Sequence, residues 1–281
     1  MFLNRIVFAA IPSNRFVALI VFLILIAGTF ASALAAPIQI GTIEDLQKIG
    51  NDSAYPPSGS YVLTQDIDAS ATATWNNGIG FAPIGNDSTP FTGTFDGQGH
   101  VISGLTINRL GEAGLFGMMD GQVKNVGLQG GSVTGSEYVG GLVGENRGTV
   151  TQCYATGAVS GRYVGGLVGE NGGTVTQCYA TGTVTGSGDA VGGLVGNNHI
   201  GTVTQCYATG TVTGSVDVGG LVGRSTNAGA QLTACYATGA VSGSDDVGGL
   251  VGHNDDIVRQ CYATGAVSGS DDVGGLVGRN G

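Results

Sequence analysis

Five cysteines, Cys153, Cys178, Cys206, Cys235 and Cys261, fill one slot of a recurring CYATG string. Thiols held in one column raise the question of disulfides. Beside them run Tyr154, Tyr179, Tyr207, Tyr236 and Tyr262, whose rings could stack on sugars, and a row of threonines, Thr156, Thr181, Thr209, Thr238 and Thr264. Carboxylates gather elsewhere: Asp66 and Asp68, Asp96, Asp217, and the pairs Asp245-Asp246, Asp255-Asp256 and Asp271-Asp272. Grouped acids on one face could hold a cation or serve acid–base work on a polysaccharide.

The elements that position these residues are repeats. GGLVG stands at 140–144, 165–169, 192–196, 219–223, 248–252 and 274–278, at intervals of 25, 27, 27, 29 and 26 residues. A degenerate copy, AGLFG, lies at 113–117. Length varies only in polar connectors such as Ser187-Gly188-Asp189 and Ser225 to Gly229, which marks them as solvated loops. Within a unit, short apolar pieces alternate with Gly, Asn, Ser and Thr, and no helical period survives. Each unit therefore reads as two or three short strands between glycine corners. One unit cannot bury an apolar face alone, but stacked units bury a continuous one. The period predicts an all-β fold, a parallel β-solenoid whose coils stack about 4.8 Å apart. A β-propeller blade needs about 40–50 residues and does not fit.

Composition agrees. Glycine supplies 54 of 281 residues, and charged residues are only 11%. A hydrophobic fraction of 42% still leaves enough apolar surface to form a core. With 10 basic and 20 acidic residues the net charge is −10, which repels phosphate backbones and excludes nucleic acid as a partner.

Residues 1–35 form a separate object: Arg5 and Arg15, an uncharged apolar run from Phe16 to Phe30, and a small-residue A-x-A pattern at Ala33 and Ala35. That layout predicts a secretory signal cleaved after Ala35, with an uncleaved anchor as the alternative. The membrane is then met only through this segment, and the mature chain is secreted or displayed at the cell surface. Residues 36–111 read as an N-terminal cap with the first irregular coils. Within them GTIEDLQKIG (41–50) is a helix capped by Thr42, and FTGTFDGQGHVISGLTI (91–107) is strand broken by an Asp96-Gly97 turn. Residues 112–281 read as the repeat solenoid, ending mid-repeat. An uncovered last coil predicts fraying or end-to-end self-association, or a chain cut from a longer repeat protein.

The GGLVG…CYATG unit resembles the GLUG repeat of bacterial secreted and cell-surface proteins, and the lead-in from TIEDLQKIG resembles the segment that commonly precedes such repeats. Together they cover residues 38–281. The resemblance implies a right-handed parallel β-helix in large exported proteins, often adhesin-like; some members belong to immunoglobulin-A-cleaving metallopeptidases. Such a peptidase needs H-E-x-x-H. His100, His199 and His253 stand in Gly-His-Val, Asn-His-Ile and Gly-His-Asn, and all three read as solvated loop residues. No G-x-S-x-G elbow is present either, so peptidase activity does not carry over.

In CYATG alternate side chains face opposite ways, so Cys and Ala point inward while Tyr and Thr point out. Stacked cysteines hold their Cβ atoms about 4.8 Å apart, beyond the usual ~3.5–4.5 Å of a disulfide, and five is an odd number. The cysteines read as small core filler, with one or two strained disulfides as the alternative. The outward tyrosines read as support for the coil or as the weak ligand-binding candidates; an ice-binding threonine row is a remote third reading, spoiled by the large rings beside it. The Asp245-Asp246 and Asp271-Asp272 column drifts freely in type and reads as a solvated corner, with a weak cation site or catalysis as alternatives. The functional expectation is a non-enzymatic structural or adhesive module, without cofactor or resident metal, meeting host or cell-surface glycans or proteins. The alternative is a carbohydrate-active β-helix enzyme using the acids of residues 66–96.

Overall fold

The structure, a computed structural model, describes residues 36–227 and 229–281; the export segment expected at 1–35 lies outside the described residues. Pro37–Gly281 form one compact unit. No helix among the described residues is long and apolar enough to cross a membrane.

The chain winds as a parallel β-solenoid. One coil runs through strands Thr149–Thr151, Tyr154–Ala155, Ala158–Gly165 and Val168–Asn171, and the next begins at Thr174–Thr176. Each coil thus contributes to four sheets, of nine, eight, eleven and seven strands. Pairing between coils is parallel and in register: Val150 opposite Val175, Ala155 opposite Ala180, Val168 opposite Val195. Four strands per coil replace the two or three expected. The difference lies in the corners, which turn the chain after as few as two residues.

One corner recurs immediately before each cysteine. Gln152, Gln177, Gln205, Ala234 and Gln260 all adopt left-handed backbone, with φ between 53° and 55°. That conformation costs a non-glycine residue roughly 1–2 kcal/mol. Repetition of the same turn in five coils shows that stacking offsets it. The paired glycines of GGLVG have a different cause, namely close approach. A β-carbon on Gly166 would run into Gly193 O of the next coil and the Ala180 methyl.

The interior is a stack of identical layers. Val150, Cys153, Ala155, Val159, Val164, Leu167 and Val168 from one coil are all buried, and each sits on its counterpart in the next. Apolar burial of this kind stabilises by about 25 cal/mol per Å² and acts only between neighbouring coils.

Three of the four ladders run from the lead-in into the repeats, since Thr94–Asp96 pairs with Gln122–Lys124, Val101–Ser103 with Gly127–Gln129 and Thr106–Asn108 with Ser132–Thr134; the fourth begins at Phe116–Met119. The Asp96-Gly97 turn is a corner between two sheets, with Gln98 and Gly99 at positive φ, and not a strand reversal. Ile43–Lys48 is helical, capped by Thr42 Oγ1, which accepts from Asp45 N at 3.2 Å. It buries Ile43 and Leu46 in the core. A 3₁₀ segment at Ser70–Gly78, which no apolar period announces, bulges out after Ile67–Asp68.

Candidate functional site

The tyrosines form a ladder. Tyr154, Tyr179, Tyr207, Tyr236 and Tyr262 pair in register, with ring centroids 4.8, 4.8, 4.9 and 5.1 Å apart and planes within 4° of parallel. Parallel pairing places identical side chains at the strand spacing, which is also a stacking distance. Each inner ring therefore has both faces covered. Tyr154 lies over Gly127, where a β-carbon would collide with its ring. Sugar stacking is therefore closed at Tyr179, Tyr207 and Tyr236, whereas Tyr262, stacked on Tyr236 alone, is 52% exposed. Solvent meets ring edges and phenol groups, with exposed Thr181, Thr209, Thr238 and Thr264 beside them. Burial, then the neighbouring rings, raises the Tyr179 and Tyr236 phenols above their ordinary value, so they stay neutral donors at physiological pH.

Behind the ladder stands the cysteine column. Cys153, Cys178, Cys206 and Cys235 are buried, Cys261 is half-buried, and all five are free thiols. Backbone N–H groups of Cys153, Cys178 and Cys235 each donate to the next sulfur at 3.4 Å. Thiols of Cys153, Cys178, Cys206 and Cys235 donate to the carbonyl two residues back at 3.2 Å. Burial pushes the Cys178 thiol strongly up, and the hydrogen bond to Cys206 followed by burial raises Cys235 to about 12. A thiol so held is a poor nucleophile at neutral pH.

The aspartate corner is solvated at Asp245, Asp271 and Asp272, as expected, but not at Asp217 and Asp246. Asp217 and Asp246 carry side chains only 1% and 7% exposed. Each precedes a ladder valine, Val218 opposite Val247 opposite Val273, and each has positive φ, 47° and 50°. The left-handed turn breaks strand alternation, so Asp217 and Val218 are buried side by side. His253, expected in a loop, sits in strand Val251–Asn254 with its side chain 18% exposed. It belongs to a facing column, Glu145, Glu170, Asn197, Arg224, His253 and Arg279.

These two columns change together. Tyr138, Tyr163 and Ala190 stand seven residues before Glu145, Glu170 and Asn197; Asp217, Asp246 and Asp272 stand seven before Arg224, His253 and Arg279. That i, i+7 match of acid to base was visible in the sequence and is the signal its reading missed. In space it becomes a chain of contacts. Asp217 Oδ2 accepts from Arg224 Nε, and Asp217 Oδ1 lies 3.8 Å from His253 Nδ1. Asp246 Oδ2 lies 3.5 Å from His253 Nδ1 and 4.0 Å from Arg279 Nη1. Burial raises Asp217 to about 6 despite Arg224 and His253, which pull it down. Two groups among the described residues bring three possible ligand atoms within 4.8 Å of one another: Asp217, Asp246 and His253, and the more exposed Asp245, Asp246 and Asp272.

The acids of the first coils serve turns. Asp66 Oδ1 accepts from Val101 N at 2.9 Å and meets His100 Nδ1 at 3.1 Å. Asp68 Oδ1 accepts from Ser70 N, and Asp96 Oδ1 from Gln98 N and Asn125 Nδ2. Hydrogen bonds hold all three below the usual carboxylate range, led by the backbone N–H of Val101 for Asp66 and of Ser70 for Asp68. For Asp96, burial opposes them and is outweighed. A glycosidic general acid needs the opposite shift. His199 is an exposed connector residue beside Asn227.

The family model of the GLUG motif matches residues 135–160, 160–185, 187–213 and 243–268. These coils are GLUG repeats. Between the last two matches, residues 214–242 hold the polar connector from Ser225 to Gly229. The chain is similar over part of its length to Halomucin of Haloquadratum walsbyi, 47% identical over 135 residues, or 45% of this chain and 2% of Halomucin. It is also similar to a protein provisionally called a Gly-rich membrane protein of Evansella cellulosilytica, 38% identical over 122 residues, covering 41% of this chain and 14% of the relative. The match thus spans a small part of each relative. The fold resembles the crystal structure of a candidate immunoglobulin A1 protease from Bacteroides ovatus, with a TM-score of 0.70 at 23% identity, covering 88% of this chain and 83% of that one. At that identity the likeness is one of fold.

Proposed function

We propose that this chain is an exported, surface-displayed module that acts by contact along its tyrosine–threonine face and catalyses nothing. The observation that carries this reading is the five-coil Tyr154–Tyr262 ladder, which repeats the same hydroxyl-bearing edge every 4.8 to 5.1 Å. A surface uniform along its length suits a linear or multivalent partner better than a single small molecule, because each coil adds the same weak contact. Covered ring faces make that contact one of hydroxyls and ring edges, which fits the hydroxyls of a surface glycan. The net charge of −10 turns away polyanions. Likeness over part of the chain to Halomucin and to a Gly-rich membrane protein supports a place at the cell surface.

A glycan array probed with the full-length chain tests the reading, alongside a carbohydrate depolymerisation screen. Retention of glycans that weakens when Tyr179 and Tyr207 are changed to Ala is the expected result. Turnover of a polysaccharide by the purified chain would overturn the non-catalytic part. Binding indifferent to the tyrosines would overturn the assigned face. Exported protein should begin at Ala36, and an N-terminus still at Met1 would favour an anchor.

A further inference from the structure

His253 stands among three carboxylates. Its Nε2 meets Asp255 Oδ1 at 3.1 Å, and a carboxylate there fixes the proton on Nε2. Nδ1 is then a bare lone pair. It faces Asp246 Oδ2 at 3.5 Å and Asp217 Oδ1 at 3.8 Å, and both aspartates are more than nine-tenths buried. Arg224 occupies Asp217 Oδ2 and leaves Oδ1 free. The Asp246 carboxylate accepts no hydrogen bond from a nitrogen donor among the described residues; the unprotonated His253 Nδ1 lies 3.5 Å away, and the Arg279 Nη1 cation 4.0 Å away. Three electron-pair donors thus converge on one point in a poorly solvated place. Something positive must sit between them, either a proton or a metal ion.

The spacing discriminates. Ligands about 2.0–2.2 Å from a tetrahedral ion lie about 3.4 Å from one another. The two distances from Nδ1, 3.5 and 3.8 Å, are within a few tenths of that edge. An imidazole among the donors selects zinc-like transition ions over calcium or magnesium, which take oxygen. The Nε2 contact to Asp255 is the outer carboxylate that metal-bound histidines usually have.

We propose that Asp217 Oδ1, Asp246 Oδ2 and His253 Nδ1 bind one divalent transition-metal ion of the zinc class, with Asp255 positioning His253. Of the three ligands His253 is the most exposed, at 18%. Arg279, 59% exposed, is free to swing aside. The site joins two neighbouring coils, so the ion would clamp the solenoid where the acid–base columns begin.

The neighbouring coils supply a control variant. Arg224 and Arg279 occupy the position of His253 one coil to either side, so His253→Arg should fold, while it removes the nitrogen ligand and adds a cation. The full-length chain is titrated with Zn2+ alone in competition with a chromophoric chelator, and separately with Co2+ alone, followed by its visible spectrum. Expected are one equivalent of Zn2+, tetrahedral Co2+ bands without a sulfur charge-transfer band, loss of both in His253→Arg, and binding weakened about 10–100-fold in Asp255→Asn. Equal Zn2+ binding by wild type and His253→Arg, or none by either, would overturn the proposal in favour of a proton. A thiolate–cobalt band would overturn it by placing the metal on the cysteines.

Discussion

Ser225 faces Asn254 across adjacent coils, and the Asn254 Oδ1 is left buried without a hydrogen-bond partner. Earlier coils have asparagine in that slot: Asn146 Nδ2 donates to Asn171 Oδ1 at 2.7 Å, and Asn171 Nδ2 to Asn198 Oδ1 at 2.8 Å. At Ser225 the ladder thins, because Asn198 Nδ2 meets the serine Oγ at 3.4 Å and donates more closely to Gly201 O at 3.0 Å. The ladder resumes with Asn254 Nδ2 to Asn280 Oδ1 at 3.0 Å. Ser225→Asn should complete it and raise stability by about 1–2 kcal/mol, since an unpaired buried acceptor costs that much. Urea denaturation checks this; an unchanged or lower midpoint would mean that the longer side chain does not fit beside Thr226.

Removing Tyr179 deletes two stacked contacts, to Tyr154 and Tyr207, both at 4.8 Å. Tyr179→Ala should cost about 1–3 kcal/mol, at ~0.5–1.5 for each aromatic pair. Tyr154→Ala, with a tyrosine on one side and Gly127 on the other, should cost about half. A double-mutant cycle between Tyr179 and Tyr207 should show coupling; strict additivity would mean that the rings do not support one another.

Cys206 is 1% exposed and has a cysteine in the coils on either side. Cys206→Leu should overpack the column and destabilise by about 1–3 kcal/mol, with Cys206→Ala costing less. Unfolded, unreduced monomer should titrate as five free thiols, and in native protein Cys261 should react first. A count of one would mean two disulfides and defeat the core-filler reading.

Asp96 should steepen the acid limb of the stability curve. Burial opposes its ionisation, but Gln98 N, Asn125 Nδ2 and Lys124 outweigh it and leave the folded carboxyl below its ordinary value. A depressed folded value means that the unfolded state binds the proton more readily. Its stabilisation is therefore complete above about pH 4 and is lost as pH falls through the folded value. Asp96→Asn should flatten that limb in stability measured between about pH 5 and pH 2; identical slopes would show that Asp96 contributes nothing.

Much of the architecture was legible because a solenoid is a one-dimensional object. A period of 25 to 29 residues, too short for a propeller blade, already implies stacked coils, and alternation in CYATG places Cys153 and Ala155 inside. Alternation failed where the backbone leaves the strand. At Asp217 and Asp246 a positive φ turns two successive side chains inward, and no hydrophobicity pattern marks a left-handed residue that is neither glycine nor asparagine. The partner acid–base spacing of seven residues was present in the sequence, but only the corner folds Asp246 back onto His253. The tyrosines carry the same lesson. Their column was determined by the repeat, whereas the face-to-face stacking that hides their rings was decided by parallel register at the strand spacing.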